Sequence, residues 1–266
     1  MANTKIQWAD KVWNPVTGCT PVSLGCQNCY AKRFACRLRE MGTYPDDSRH
    51  PFDIRIWPDR FEQPLRWKKP CRIFVCSMGD LFHEQINMRG KEIEDIFRIM
   101  SCCEHTFLLL TKRPERMGIS LKYFYDNNFA EQMDNVWLGV SCENQEWAEK
   151  RIPKLLDIPA AIHWLSLEPL LGSMSLFNEK RDWLTPLGRP GAKPVCPGID
   201  FVVIGCESGP NRRPCKIEWV RDIVRQCQAA DVSLFIKQLS LNGKVSHNLA
   251  EWPEDLRIRQ YPEAPT

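Results

Sequence analysis

Short apolar runs recur along the chain, each followed by polar residues and then by a helical spacing. The runs span residues 72–76, 107–111, 136–140, 162–167, 201–205 and 234–236. They are too short for helices and too continuous for half-exposed strands, so they read as parallel strands covered on both faces. Successive runs lie roughly 30 residues apart, the size of a βα unit. Residues 11–14 read as an additional first strand. Between the runs, Ile93, Ile96, Phe97 and Met100 fall at i, i+3, i+4 and i+7, as do Val220, Ile223, Val224 and Cys227. Trp147, Ile152, Leu155 and Leu156 mark a further helix that Pro153 interrupts, and residues 30–41 read as another. Strand and helix alternate, which predicts an α/β domain with a parallel sheet.

Two stretches break this rhythm. Residues 42–70 are rich in proline and charge and read as an irregular excursion. Residues 172–200, with Pro186, Pro190, Pro194 and Pro197, read as a long insertion. The expected organisation is one domain over residues 1–241, with residues 242–266 as a C-terminal extension packed on it.

Composition narrows the class. The 266 residues are 43% hydrophobic and 26% charged, which excludes collagen-like, mucin-like and wholly disordered chains. No run of eighteen apolar residues is present to span a membrane. The N-terminus has no apolar stretch of signal-peptide length, so a cytoplasmic location is expected. The net charge of +3 neither demands nor excludes a nucleic acid. The 13 cysteines are an odd number, and in a reducing compartment they do not form a disulfide framework. Most are expected to be buried thiols, with a minority holding a metal.

In parallel α/β domains ligands sit at the carboxyl ends of the strands. Here those ends carry Ser77, Gly79 and Asp80, then Thr111, Lys112 and Arg113, then Ser141 and Glu143. Ser166 and Glu168, Glu207 and Ser208, and Lys237 and Gln238 follow. So many polar ends point to a single polar pocket. Cys142 and Cys206 also lie near strand ends, where a thiol is either a hydrogen-atom donor to a substrate radical or a packed core residue.

The densest chemical pattern is the C-x6-C-x2-C arrangement of Cys19, Cys26 and Cys29, between the first strand and the first helix. The x2 pair can close on one centre through a tight turn, and the longer limb, with Pro21 and Gly25, can bring a third thiolate to it. Three thiolates suit a 4Fe-4S cluster with one iron open to a small chelator such as the amino and carboxylate groups of methionine. They also suit zinc with a fourth ligand, for which Cys36 is a candidate. Three unrelated buried thiols are the third reading.

The stretches Trp13–Cys19 and Gly25–Tyr30 resemble the phage-associated three-cysteine-motif family, whose function is poorly defined. So do Ser77–Phe82, Leu110–Pro114, Leu138–Glu143, Leu167–Leu170, Ile204–Gly209 and Lys237–Gln238. That family is similar to radical S-adenosylmethionine enzymes, especially the spore-photoproduct-lyase-like branch. The resemblance implies a partial (β/α)6 TIM-like barrel with parallel strands. It implies that Cys19, Cys26 and Cys29 bind a 4Fe-4S cluster, with S-adenosyl-L-methionine as the second cofactor and an electron-donor protein as partner. It makes the stretch from Ser77 to Asp80 a counterpart of the one that holds the methionine amino group. Lys112, Ser141, Glu143 and Glu168 become candidates for carboxylate and ribose contacts. The first limb of the loop is three residues longer than the C-x3-C-x2-C usual in radical enzymes, an extension that costs little closure entropy.

The expected reaction is reductive cleavage of the cofactor to a 5′-deoxyadenosyl radical, which abstracts hydrogen from a substrate. Lys112 or Arg113 is positioned in sequence to bind the methionine carboxylate. Arg60, Arg66, Lys68, Lys69 and Arg72, with Trp57 and Trp67 among them, and Arg212, Arg213 and Lys216 fit either a nucleic acid or nucleotide substrate or a solvated face. The competing reading is a non-catalytic, zinc-stabilised module that binds a nucleic acid or a protein.

Overall fold

The computed structural model describes residues 4, 6–43, 50–128, 132–179, 181–187 and 196–263. It is a mixed α/β protein whose main-sheet strands are mostly parallel. The chain forms two compact units, Met1–Trp137 and Leu138–Thr266. Of the eight main-sheet strands, three belong to the first unit; the other five belong to the second, the earliest of them starting at the last residues of the first.

The first unit contains β1 (Lys11–Trp13), β2 (Val16–Thr17), β3 (Arg55–Ile56), β4 (Arg72–Val75) and β5 (Thr106–Thr111). Its helices are α1 (Tyr30–Glu40), α2 (Lys91–Ser101) and α3 (Pro114–Asn128). β4 lies between β1 and β5 and is parallel to both, so strand order follows chain order. Trp13, Ile73, Val75, Phe107 and Leu108 are buried, as continuous apolar runs predict. The α2 stripe of Ile93, Ile96, Phe97 and Met100 is buried as its period requires. Phe97 meets Phe124 of α3 edge-on, with ring centroids 5.3 Å apart.

The second unit contains β6 (Val136–Ser141), α4 (Gln145–Leu156) and β7 (Ile162–Leu167). Then follow β8 (Phe177–Asn178), β9 (Arg181–Asp182), β10 (Phe201–Gly205), α5 (Ile217–Ala229), β11 (Ser233–Leu241) and β12 (Lys244–Ser246). β10 runs parallel to both β7 and β11. α4 stays helical through Pro153, because that residue lies in the last turns and Ile152, Leu155 and Leu156 are buried beside it. β8 and β9 make a small hairpin inside the expected insertion, and Pro190 and Pro194 lie outside the described residues. β11 turns back into β12 through Asn242 and Gly243, both with positive φ. That is the backbone demanded by a two-residue hairpin turn. The tail then returns along β11, where the Ile236 amide donates to the Ile258 carbonyl and the Gln260 amide to the Leu234 carbonyl. Among the described residues, no helix is long and apolar enough to cross a membrane.

Candidate functional site

The three-cysteine loop follows β1 and β2. Val16 and Thr17 pair with Ile56 and Arg55 of β3. Trp57 Nε1 donates to Thr17 Oγ1 (2.8 Å), and the Cys19 amide donates to the Phe52 carbonyl (3.2 Å). Residues 50–57 of the excursion that reads as irregular in sequence therefore wall this loop. Gly18 has φ +90°, and a Cβ there would lie 2.2 Å from the Asp53 carbonyl oxygen. Gly79 faces it, where a Cβ would lie 2.7 Å from the Gly18 oxygen. Neither position tolerates a side chain without moving backbone.

Leu24–Cys26 form one 3-10 turn, the Cys29 amide donates to the Cys26 carbonyl (3.3 Å), and Cys29 caps α1. Cys19 and Cys29 pack on the same floor of Ala31, Ala35, Phe52 and Met78. Cys26 is near enough to Cys19 to act on it electrostatically. All three thiols are half-buried, as is Cys36 on α1. Among the described residues, no group of three or more His, Cys, Asp or Glu side chains is arranged to hold a metal ion. The loop thus gathers three sulfurs in one region without closing them into a ligand set. In chemistry the donors fit zinc or an iron–sulfur cluster, since soft thiols are poor ligands for magnesium or calcium. Burial pushes the Cys19 thiol up to about 12, and Asp80 adds to the effect while Arg113 opposes it. The free thiol is protonated at neutral pH, so metal binding must expel that proton.

Beside the loop, the ends of β4 and β5 hold a buried acid–base pair. Asp80 accepts from the Phe82 amide (3.0 Å), from Thr111 Oγ1 (2.8 Å) and from Arg113 Nη1 (3.0 Å). Arg113 Nη1 also donates to Cys19 Sγ (3.4 Å), and Nη2 donates to the carbonyl and hydroxyl oxygens of Thr20 (3.2 and 3.3 Å). Its Nε donates to Glu84 Oε1 (2.8 Å). A guanidinium has five N–H donors, and here all five have acceptors. Arg113 therefore has no donor left for a ligand carboxylate, and the Asp80 oxygens are likewise engaged within the protein. Ser77 Oγ donates to Asn14 Oδ1 (3.2 Å), which also accepts from the Met78 amide (3.0 Å). Lys112 is half-buried next to this pair.

Nothing in the sequence pattern singles out Asn14, Thr20, His83 or Glu84 as partners in this network. The Gln85 amide donates to His83 Nδ1 (3.2 Å), so the ring proton sits on Nε2, 2.8 Å from Thr20 Oγ1. Burial, with Arg113 nearby, lowers the His83 pKa and keeps the ring neutral at pH 7.

The second unit has its own polar strand ends. Glu143 is fully buried and accepts from Arg151 Nη1 (2.9 Å), which also donates to the Ser141 carbonyl (2.6 Å). The Arg151 guanidinium stacks on Trp147 at 4.0 Å. Glu168 accepts from Lys237 Nζ (2.5 Å) and from Gln238 Nε2 (3.1 Å). Glu207 accepts from the amide and guanidinium of Arg213. Cys142 and Cys206 are both buried, and burial pushes the Cys206 thiol up to about 12. Of the acidic candidates here, the Glu168–Lys237 pair keeps about a fifth of each side chain exposed, whereas Glu143 keeps none.

Several of the cations that suggested a nucleic acid have internal partners. Arg60 lies over Trp57 at 3.9 Å, Arg72 pairs with Asp10 (3.3 Å), and Lys216 lies over Trp219 at 5.6 Å.

A family model described as "Protein of unknown function (DUF5131)" matches residues 3–254. No curated protein and no solved structure matches the chain. With nearly its whole length matched by that one family model, the chain belongs to the DUF5131 family.

Proposed function

We propose that this protein is a radical S-adenosylmethionine enzyme on a partial (β/α)6 barrel, with Cys19, Cys26 and Cys29 as the protein ligands of a 4Fe-4S cluster. The observation that carries the reading is the gathering of three half-buried thiols in the loop after β1: Cys19 and Cys29 share one floor, Cys26 acts on Cys19 electrostatically, and Arg113 of the buried Asp80–Arg113 pair donates to Cys19 Sγ. The strand order supports the barrel, since in each unit the parallel strands follow chain order without the reversal of a doubly wound sheet. When bound, the cluster and S-adenosylmethionine would supply a carbon radical able to take hydrogen from an unactivated position.

The chain's own residues take distinct parts in this reading. Gly18 and Gly79 let the loop backbone approach the end of β4. Lys112 takes the methionine carboxylate, because the donors of Arg113 are used inside the protein. Asp80 supports the loop. In the second unit, Glu143 holds Arg151 in place, and Glu168 is held by Lys237 and Gln238. A nucleic acid or nucleotide is the proposed substrate class, and an electron-donor protein the proposed partner.

The test is anaerobic reconstitution. The protein should become brown, take up about four irons per chain, and release 5′-deoxyadenosine from S-adenosylmethionine under reducing conditions. Cys26→Ala should lose both cluster and cleavage. Cleavage that persists in that variant would overturn the assignment. A colourless protein with one zinc per chain would favour the zinc-stabilised binding module instead.

A further inference from the structure

We propose that Arg113 is the positioning residue of the cysteine loop, a clamp that fastens the Cys19–Thr20 limb to the ends of β4 and β5 and so fixes where the first thiol points. The purpose of the clamp rests on the cluster reading above; its geometry does not.

The first limb of the loop is the long one, with six residues between Cys19 and Cys26. Thr20 within it is exposed. A limb of that length needs a tether if its thiol is to return to one point. Arg113 supplies it from a rigid base. Its side chain is 5% exposed and pairs with Asp80, which the Thr111 hydroxyl and the Phe82 amide hold in turn. From that base, three of the five donors leave the ion pair and reach the loop, at Cys19 Sγ and the two oxygens of Thr20. A pair that served only to neutralise Asp80 would need none of these three. His83 Nε2 adds a second hold on Thr20 Oγ1 at 2.8 Å, and Glu84 fixes the guanidinium plane from the solvent side at 2.8 Å. Only a planar, five-donor group meets four acceptor residues at once; a lysine in the same place meets fewer.

The test compares Arg113→Gln, Arg113→Lys and Thr20→Ala with the parent by two readouts. In protein without iron, amide hydrogen exchange over residues 19–26 should speed up on the order of tenfold in Arg113→Gln, while α2 stays unchanged. Because that variant leaves a buried carboxylate unpaired, Thr20→Ala provides a check that keeps the ion pair. There the same segment should exchange about threefold faster. In iron-loaded protein, Arg113→Gln should move the cluster potential to more negative values, since a donor and a positive charge are lost beside the first thiolate. Arg113→Lys should recover part of that shift, which a role in stability alone would not produce. Unchanged exchange over residues 19–26 in both Arg113→Gln and Thr20→Ala would overturn the clamp. Failure of the parent to load iron would overturn the cluster reading instead, and the exchange data would still decide the clamp.

Discussion

Each unit buries an arginine–carboxylate pair at its strand ends, and the two pairs are built differently. Arg113 has an acceptor for every donor, spread over Asp80, Glu84, Cys19 and Thr20. Arg151 uses one nitrogen, Nη1, for Glu143 and the Ser141 carbonyl, while its buried Nε and Nη2 have no hydrogen-bond partner among the described residues. Trp147 covers the face of that guanidinium. The first arrangement fastens the three-cysteine loop. The second is a local contact between the end of β6 and the helix that follows. Polar strand ends alike in sequence therefore differ in what they hold: one pair reaches a loop distant in sequence, the other stays within its own strand–helix connection.

The sharpest way to break this contrast is to remove the arginines. Arg113→Leu should destabilise the protein by about 3–5 kcal/mol, the cost of leaving a buried charge unpaired, as read by urea unfolding. Combining it with Asp80→Leu should recover only part of that loss, because the contacts to Cys19 and Thr20 stay broken. Arg151→Met should cost about 3 kcal/mol by stranding Glu143. Here the double variant with Glu143→Leu should recover most of it. Equal recovery in the two double variants would erase the distinction.

A smaller effect concerns Asp200, which accepts from the His163 amide at 2.7 Å. Burial raises its carboxyl pKa to about 6. A carboxyl raised in the folded state stabilises folding below the ordinary carboxylate range, and that stabilisation is lost as pH climbs through the folded value. The parent should therefore lose stability between pH 4 and pH 7 by at most about 3 kcal/mol. Asp200→Asn should flatten this slope in urea titrations at successive pH values. The smallest effect is expected on the surface. Lys122→Ala and Lys150→Ala remove exposed pairs with Asp126 and Glu146 and should each change stability by less than about 0.5 kcal/mol.

Much of the sheet was legible because parallel strands covered on both faces leave continuous apolar runs, as at residues 107–111 and 201–205. The helices with clean stripes, α2 and α5, were legible for the same kind of reason. Helix α3 leaves a weaker sequence signal: Met117, Leu121 and Phe124 have the right spacing, but Gly118 and Ser120 dilute the stripe. The β11–β12 hairpin is marked in the sequence only by its turn pair, Asn242-Gly243. The β12 strand is short and half-polar, so its alternation is weak.

At the site, the cysteine spacing and the polar strand ends were readable as types of residue. What each side chain touches was not. Nothing local marks Arg113 as saturated, since Lys112 and Arg113 follow β5 in one short polar run. The role of residues 50–57 as the wall of the cysteine loop is a long-range contact, and periodicity carries no information about it.

Whether the cysteine loop holds an open cluster is tested most directly by electron paramagnetic resonance of the reduced, iron-loaded protein with and without S-adenosylmethionine. A 4Fe-4S signal whose g values shift when the cofactor is added is expected, as required if one iron lacks a protein ligand and Cys19, Cys26 and Cys29 hold the other three. A signal that the cofactor leaves unchanged, or one that survives Cys26→Ala, would contradict it.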